Sequence, residues 1–224
     1  MENKIGIIAT KKLAPNQKQY LLNAGFWIMD EDFIAVKPID FEISVTQDLL
    51  LFTSKNAVLH VLKHKEILLH SPVLCVGEKT EQLLKNNGFS VLNNQPDAEA
   101  LVKIIEKKYL DKSITFFCGK DKLDTIPLFL KEKKIPHQII EVYETLETPI
   151  KITPKMDGIL FFSPSGVLSY SEENKITNEI CFCIGSTTAK AVEPFTRNII
   201  MANQPTIENV IIQCINYFKS TKND

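Results

Sequence analysis

Hydroxyl residues, glycines and lysines recur in this chain wherever an apolar run ends. Leu49–Phe52 stops at Thr53, Ser54 and Lys55, and Gly158–Phe162 stops at Ser163, Pro164 and Ser165. Val73–Val76 ends on Gly77, followed by Lys79 and Thr80. Ile180–Ile184 ends on Gly185, followed by Thr187 and Thr188. Lys4–Ala9 gives way to Thr10, Lys11 and Lys12, and Ile114–Cys118 to Gly119, Lys120 and Lys122. In an open parallel sheet, ligands bind outside the carboxyl ends of the strands, which is where these residues fall. A helix starting there has unpartnered N–H groups and a positive dipole end. Glycine lets a ligand approach the main chain, and the hydroxyls and ammonium groups complete a site for anions. The same serines and threonines also cap helices in proteins that bind nothing.

Four such corners at one spacing favour a site. Ser54 and Ser163 stand 109 residues apart, Gly77 and Gly185 108, Pro96 and Pro205 109, and Thr10 and Gly119 109. The spacing predicts two copies of one α/β segment of about 109 residues. Strands of four to six residues alternate with helical stretches of ten to fifteen, which predicts parallel sheets with helices on both faces. Strands are expected at Lys4–Ala9, Leu49–Phe52, Val73–Val76, Ile114–Cys118, Gly158–Phe162, Ile180–Ile184 and Asn198–Met201, with another after Gly88. Helices are expected to begin near Pro15, Lys55, Glu78, Asp97, Lys122, Thr187 and Ile207. Two alternating stretches, "DFIAVKPIDFEI" and "HQIIEVYETLETPIKI", read as antiparallel connecting strands.

Composition narrows the ligand. The 224 residues carry a net charge of −1, which excludes a broad basic field for nucleic acid. Arg197 is the sole arginine among 26 basic residues, so bidentate anion clamps are scarce. Five cysteines without a C-x-x-C pattern read as buried free thiols in a reducing cytoplasm. No secretory leader is read in "MENKIGIIATKK", and no apolar run is long enough for a membrane span. His60 and His64 have the i,i+4 spacing of a helical metal pair, but no HExxH or third ligand accompanies them, so a solvated helix face is favoured. There is no phosphate-binding Gly-Lys-Ser/Thr loop, no GxGxxG after a strand and no GxSxG elbow. The residues therefore predict no metal and no organic cofactor, and the lysines at the strand ends, taken as a set, suggest a polyanionic ligand.

The segments "FTSKNAV", "CVGEKTEQLLKNNGFSV", "FFCGKDKLDTIPLFL", "EVYET", "FFSPSGV" and "IGSTTAKAV" resemble, in order and spacing, the uroporphyrinogen-III synthase family. The resemblance implies two flavodoxin-like doubly wound parallel-sheet lobes joined by a two-stranded β-ladder. It implies a discontinuous first lobe, 1–36 plus 149–224, a second lobe, 40–144, and connectors near 33–43 and 137–152. The implied activity is that of a hydro-lyase in tetrapyrrole (haem) biosynthesis. It cyclises hydroxymethylbilane to uroporphyrinogen III with loss of water and inversion of the last pyrrole ring. The substrate would lie between the lobes, bound by Thr10, Lys11, Thr53, Ser54, Lys79, Thr80, Gly119, Lys120, Ser163, Ser165, Gly185, Thr187 and Thr188. Tyr143 matches the family's position for an acid that helps the hydroxyl leave; a ladder tyrosine that only packs is the other reading. Lys120 and Lys122 stand where such families often carry arginine. The implied protein is a cytoplasmic monomer with a linear tetrapyrrole as its partner and neither nucleic acid nor membrane. The rival from another class is a non-catalytic two-lobed anion sensor, for which Tyr143 would be dispensable.

Overall fold

A computed structural model describes residues 4–43 and 47–220. The extreme residues of the expected first lobe, 1–3 and 221–224, and residues 44–46 of the second lie outside the described residues. Five strands are buried over nearly their whole length: β1 (Gly6–Ala9), β4 (Leu49–Phe52), β5 (Val73–Val76), β7 (Ile114–Gly119) and β9 (Gly158–Phe161). Unbroken apolar runs of this kind suit parallel strands covered on both faces. β10 (Ile180–Cys183) is similar, whereas β2 (Trp27–Asp30), β3 (Ile34–Pro38), β6 (Val91–Gln95) and β11 (Ile199–Met201) are half-exposed edge or near-edge strands. β8 (His137–Glu147) is the longest strand.

The chain divides into two units, residues 1–35 with 146–224, and residues 36–145. The sheet of unit one has the order β11-β10-β9-β1-β2, and that of unit two β6-β5-β4-β7-β8-β3. Within each, the five strands shared by the pattern pair in parallel. The two orders are superposable, β1 answering to β7, β2 to β8, and β9, β10 and β11 to β4, β5 and β6. The 109-residue copies therefore do not form one unit each. The first copy gives β1 and β2 to unit one and β4, β5 and β6 to unit two; the second copy does the reverse. β3 and β8 are where the chain passes over. Thr148 N–H donates to Phe33 O at 3.0 Å and Ile39 N–H to Val142 O at 3.0 Å, so these two segments run antiparallel.

Alternate residues of each strand feed opposite faces. Ile7 and Ala9 face α1 (Pro15–Asn23) and α9 (Ile207–Ser220) through Leu21, Val210, Ile211 and Cys214. Ile8 faces α7 (Pro164–Glu173) and α8 (Ser186–Val192) through Val167, Tyr170 and Val192. In unit two, Leu50 and Phe52 pack on α2 (Lys55–Val61), α3 (Lys65–Leu68) and α4 (Glu78–Asn86). Leu49 and Leu51 pack with α5 (Ala98–Lys108) and α6 (Thr125–Glu132). A 3-10 turn, Leu62–His64, joins α2 to α3.

Three elements depart from expectation. β2 was not expected: it is four half-buried residues placed by pairing Trp27 with Gly6. α7 is also absent from the expected helices, because Pro164, Gly166 and three serines have low helix propensity. It forms because Pro164 occupies the first turn, where no N–H is needed, and Ser163 caps it by accepting Gly166 N–H at 3.1 Å. α6 begins at Thr125 rather than near Lys122, whose ammonium is held by Glu141 of β8 at 2.7 Å.

Phe117 of β7 stacks on Phe52 with centroids 5.3 Å apart and planes 14° apart, and meets Phe41 edge-on at 6.1 Å. It is fully buried. Phe117→Ala is expected to lower the unfolding free energy by about 3–5 kcal/mol in a denaturant titration. A loss under about 1 kcal/mol would mean that this face of the sheet closes over the gap, contrary to the packing described.

Candidate functional site

Strand order reverses once in each unit, between β1 and β9 and between β7 and β4. At each reversal the helices after the two adjacent strands leave for opposite faces. α1 and α7 do so in unit one, α6 and α2 in unit two. The strand ends between them stay uncovered, which makes the crevice where open α/β sheets bind ligands.

In unit two the crevice is lined by Thr53 and Ser54 after β4 and by Gly119 and Lys120 at the end of β7. Ser54 is the cap of α2, its Oγ accepting Asn56 N–H at 3.1 Å. β8 runs past the end of β7 and lays Tyr143 against Gly119. A Cβ on Gly119 would stand 2.6 Å from Tyr143 Cζ and 2.9 Å from its hydroxyl oxygen, so only glycine fits there. Tyr143 is half-buried, and burial pushes its phenol above the ordinary value; the nearby Ser54 hydroxyl pulls the other way. The phenol therefore carries its proton throughout the neutral range. His60, six residues beyond Ser54 on α2, meets the Tyr143 ring at 5.9 Å between centroids.

Charge in this crevice is partly spent. Lys120 Nζ lies 3.5 Å from Glu144, and Lys122 Nζ 2.7 Å from Glu141, both glutamates being on β8. The Glu141 hydrogen bond raises the Lys122 pKa. After β5, Gly77 takes a positive φ of 86° and starts α4, with Lys79 exposed and Thr80 buried at 5% exposure. Thr80 thus sits inside the first turn and not on the surface.

In unit one, Thr10 is buried, and its hydroxyl donates to Leu160 O at 2.9 Å across the β1–β9 gap. Ser163 Oγ, besides capping α7, lies 3.3 Å from Ser165 Oγ. A Cβ on Gly166 would lie 3.2 Å from Ser163 Oγ and 3.5 Å from Thr10 Oγ1, so this glycine lets the two hydroxyls approach. The loop after β1 is already engaged: Lys12 N–H donates to Asp32 at 2.9 Å and Leu13 N–H to Asp30 at 3.0 Å, with Lys11 exposed. Gly185 precedes α8 in extended backbone with open space where a Cβ would be, and Thr187 is exposed. Thr188 is 1% exposed and belongs to the packing beneath.

Thus Thr53, Ser54, Gly119, Lys120 and Tyr143 converge in one crevice, and Thr10, Ser163 and Ser165 in the other. His60 and His64 do not share a ligand set: His60 faces Tyr143, while His64 packs on Phe41 at 4.9 Å. Among the described residues no three His, Cys, Asp or Glu groups converge on a point. Burial pushes the thiols of Cys75, Cys118, Cys181 and Cys183 up to about 12, which rules them out as nucleophiles at neutral pH. A cavity of about 320 Å³ lies at the opposite ends of the unit-one strands, beside Asp157, Glu179 and Tyr217. Its carboxylates serve the main chain, Asp157 accepting Gly6 N–H and Glu179 accepting Thr177 N–H and Asn178 N–H. The contact of His60 with Tyr143 was not expected from the sequence. Nothing in the spacing of α2 tells which strand lies opposite it.

A family model described as uroporphyrinogen-III synthase HemD matches residues 18–212. The uroporphyrinogen-III synthase of Schizosaccharomyces pombe is 28% identical over 120 residues, 48% of this chain and 48% of that protein. That match spans about half the length of this curated relative. Among solved structures, a uroporphyrinogen-III synthetase from Helicobacter pylori superposes with a TM-score of 0.74 at 20% identity, over 95% of this chain and 99% of that one. A mutant uroporphyrinogen III synthase from Thermus thermophilus gives 0.70 at 13% identity, over 98% and 100%. At these identities the two structures establish likeness of fold.

The close seat of Tyr143 on Gly119 gives a direct check. Gly119→Ala should force the phenol outward, relieve its burial and bring its pKa down toward the ordinary value of about 10. Phenolate absorbance against pH, with Tyr143→Phe subtracted, reads this site alone. An unchanged midpoint in Gly119→Ala would contradict the geometry described.

Proposed function

The chain belongs to the uroporphyrinogen-III synthase family, and on that premise we propose that it cyclises hydroxymethylbilane to uroporphyrinogen III. The observation that carries the reading is Tyr143, a phenol kept protonated by burial, beside Ser54 and seated against Gly119 at a strand-order reversal. The substrate is a linear tetrapyrrole with carboxylates along an apolar body. Its electron-rich pyrrole can expel the hydroxymethyl oxygen once that oxygen is protonated. The C–O bond breaks, water leaves with the proton of Tyr143, and an azafulvene remains. The last ring attacks the azafulvene through its substituted carbon. The bond from that carbon to the neighbouring bridge methylene then breaks, and the methylene rejoins the ring at its free carbon. The proton displaced there restores the phenol, so the macrocycle closes with that ring inverted. The protein's larger task is to fold the chain so that the substituted carbon, and not the free one, reaches the azafulvene. General acid help from one phenol adds to that.

Anchoring is proposed to rest on hydroxyls and main-chain N–H groups, from Thr53, Ser54, Gly119, Lys120, Lys79 and Thr80 in unit two. Thr10, Lys11, Ser163, Ser165, Gly185, Thr187 and Thr188 are the counterparts in unit one. Buried Thr80 and Thr188 act through the turns they support. The reading needs no metal and no organic cofactor, and treats the protein as a cytoplasmic monomer. Among the described residues no helix is long and apolar enough to cross a membrane.

Incubation with hydroxymethylbilane, followed by oxidation and isomer analysis, tests the proposal. Type III product above the spontaneous type I background is expected. Type I alone would overturn it, and tight binding without turnover would favour the rival sensor. Tyr143→Phe is expected to lower the type III rate on the order of 10²-fold, with some turnover left because the azafulvene can form unaided. A wild-type rate and isomer ratio would make the tyrosine structural. Ser54→Ala and Ser163→Ala should each cost about 10–150-fold if they bind carboxylate. As both residues cap helices, a fall in stability of about 1 kcal/mol is expected alongside.

A further inference from the structure

His60 lies six residues beyond Ser54, and both side chains come from α2 to meet Tyr143. The Ser54 hydroxyl lies near enough to the phenol to act on its pKa, and the imidazole meets the ring at 5.9 Å between centroids with the planes 32° apart. The main chain of Gly119 supports the ring where a Cβ would clash. The ring is thus bounded along β7 and along α2. Among the described residues, His60 has this ring contact and no hydrogen bond or ion pair. It lies half-buried beside Ala57, Val58 and Val61, which turn into the core. A histidine serving only as a solvated surface residue has no reason to lie against this one ring.

We infer that His60 is a positioning residue for Tyr143, holding the phenol against the swing that would carry its oxygen away from Ser54 and the leaving hydroxyl. This rests on the reading of Tyr143 as the acid. The oxygen is the atom of the ring system farthest from the χ1 pivot, so a small swing displaces it more than any other. Gly119 blocks that swing toward β7, and His60 blocks it toward α2. On this inference the imidazole acts through the phenol and not directly on the bilane. It therefore governs the rate of water loss and not the binding of the bilane.

The test is a cycle of variants in the full chain. His60→Ala should lower kcat for type III formation about 10-fold with KM unchanged, since displacement of a reacting group is costly. His60→Gln, which keeps size and polarity but no ring, should lose the same. His60→Phe should recover activity to within about twofold, because a ring is restored. On a Tyr143→Phe background, His60→Ala should cost nothing further, since there is no proton left to position. Three results would overturn the inference while leaving the acid reading intact. They are wild-type kcat in His60→Ala beside a slow Tyr143→Phe, a loss that multiplies unchanged onto Tyr143→Phe, or a loss confined to KM. If Tyr143→Phe itself runs at the wild-type rate, the acid reading falls first and the positioning role with it.

Discussion

Two neighbouring parallel strands whose helices leave for opposite faces cannot both have their carboxyl ends covered. This constraint shapes each unit. The strands are apolar on both faces, so each needs a helix layer on either side. β1 sends α1 one way and β9 sends α7 the other; β7 and β4 do the same with α6 and α2. The uncovered ends are a by-product of burying the strands, and the loops there are free to carry chemistry. In this chain the reversal is also the seam between the two sequence copies, because β1 and β9, like β7 and β4, come from different copies. Each crevice is therefore assembled from one corner of each copy.

The two crevices share a skeleton and differ in what the outer strand does. β8 sets Glu141 beside Cys118 and Tyr143 beside Gly119, the last residue of β7, and continues through Glu144 to Glu147. β2 stops at Asp30, and Asp30 and Asp32 fold back onto the main chain after β1. One crevice thus gains a phenol with paired lysines, and the other has loop N–H groups already satisfied by carboxylates. The two sequence copies give two crevices of one geometry, and a difference in strand length separates the side chains that line them.

Much of the fold can be read along the sequence because burial on both faces leaves continuous apolar runs, as in Leu49–Phe52 and Gly158–Phe161. Elements at the margin cannot. β2 owes its existence to Gly6 admitting the Trp27 ring, a contact between residues far from any local pattern. α7 owes its start to a cap and a proline that outweigh poor propensity. In the unit-two crevice, the hydroxyl corners are visible as residue types, but their partners are not. That Ser54 and His60 flank one tyrosine depends on β8 lying beside β7, which is a fact of strand order. The i,i+4 histidines, read as a helix face, prove to meet aromatic rings of the two crossing segments, Tyr143 from one and Phe41 from the other.

The lysines show why the proposed anion site would lean on the main chain. Lys120 and Lys122 look like free charge in the sequence, yet each has a glutamate of β8 within reach. The two pairs are not equivalent. Lys122 is largely covered and bonded at 2.7 Å, so parting it from Glu141 would strand charges in a poorly solvated place. Lys120 is mostly exposed, at 3.5 Å from Glu144, and such a pair is worth little. A carboxylate arriving at Gly119 could draw Lys120 from Glu144 at small cost, while Lys122 stays to hold β8 against β7. Under the proposed function the first lysine would serve the ligand and the second the strand that carries Tyr143. This division follows from exposure alone, since both residues have the same chemistry and lie two positions apart in the chain.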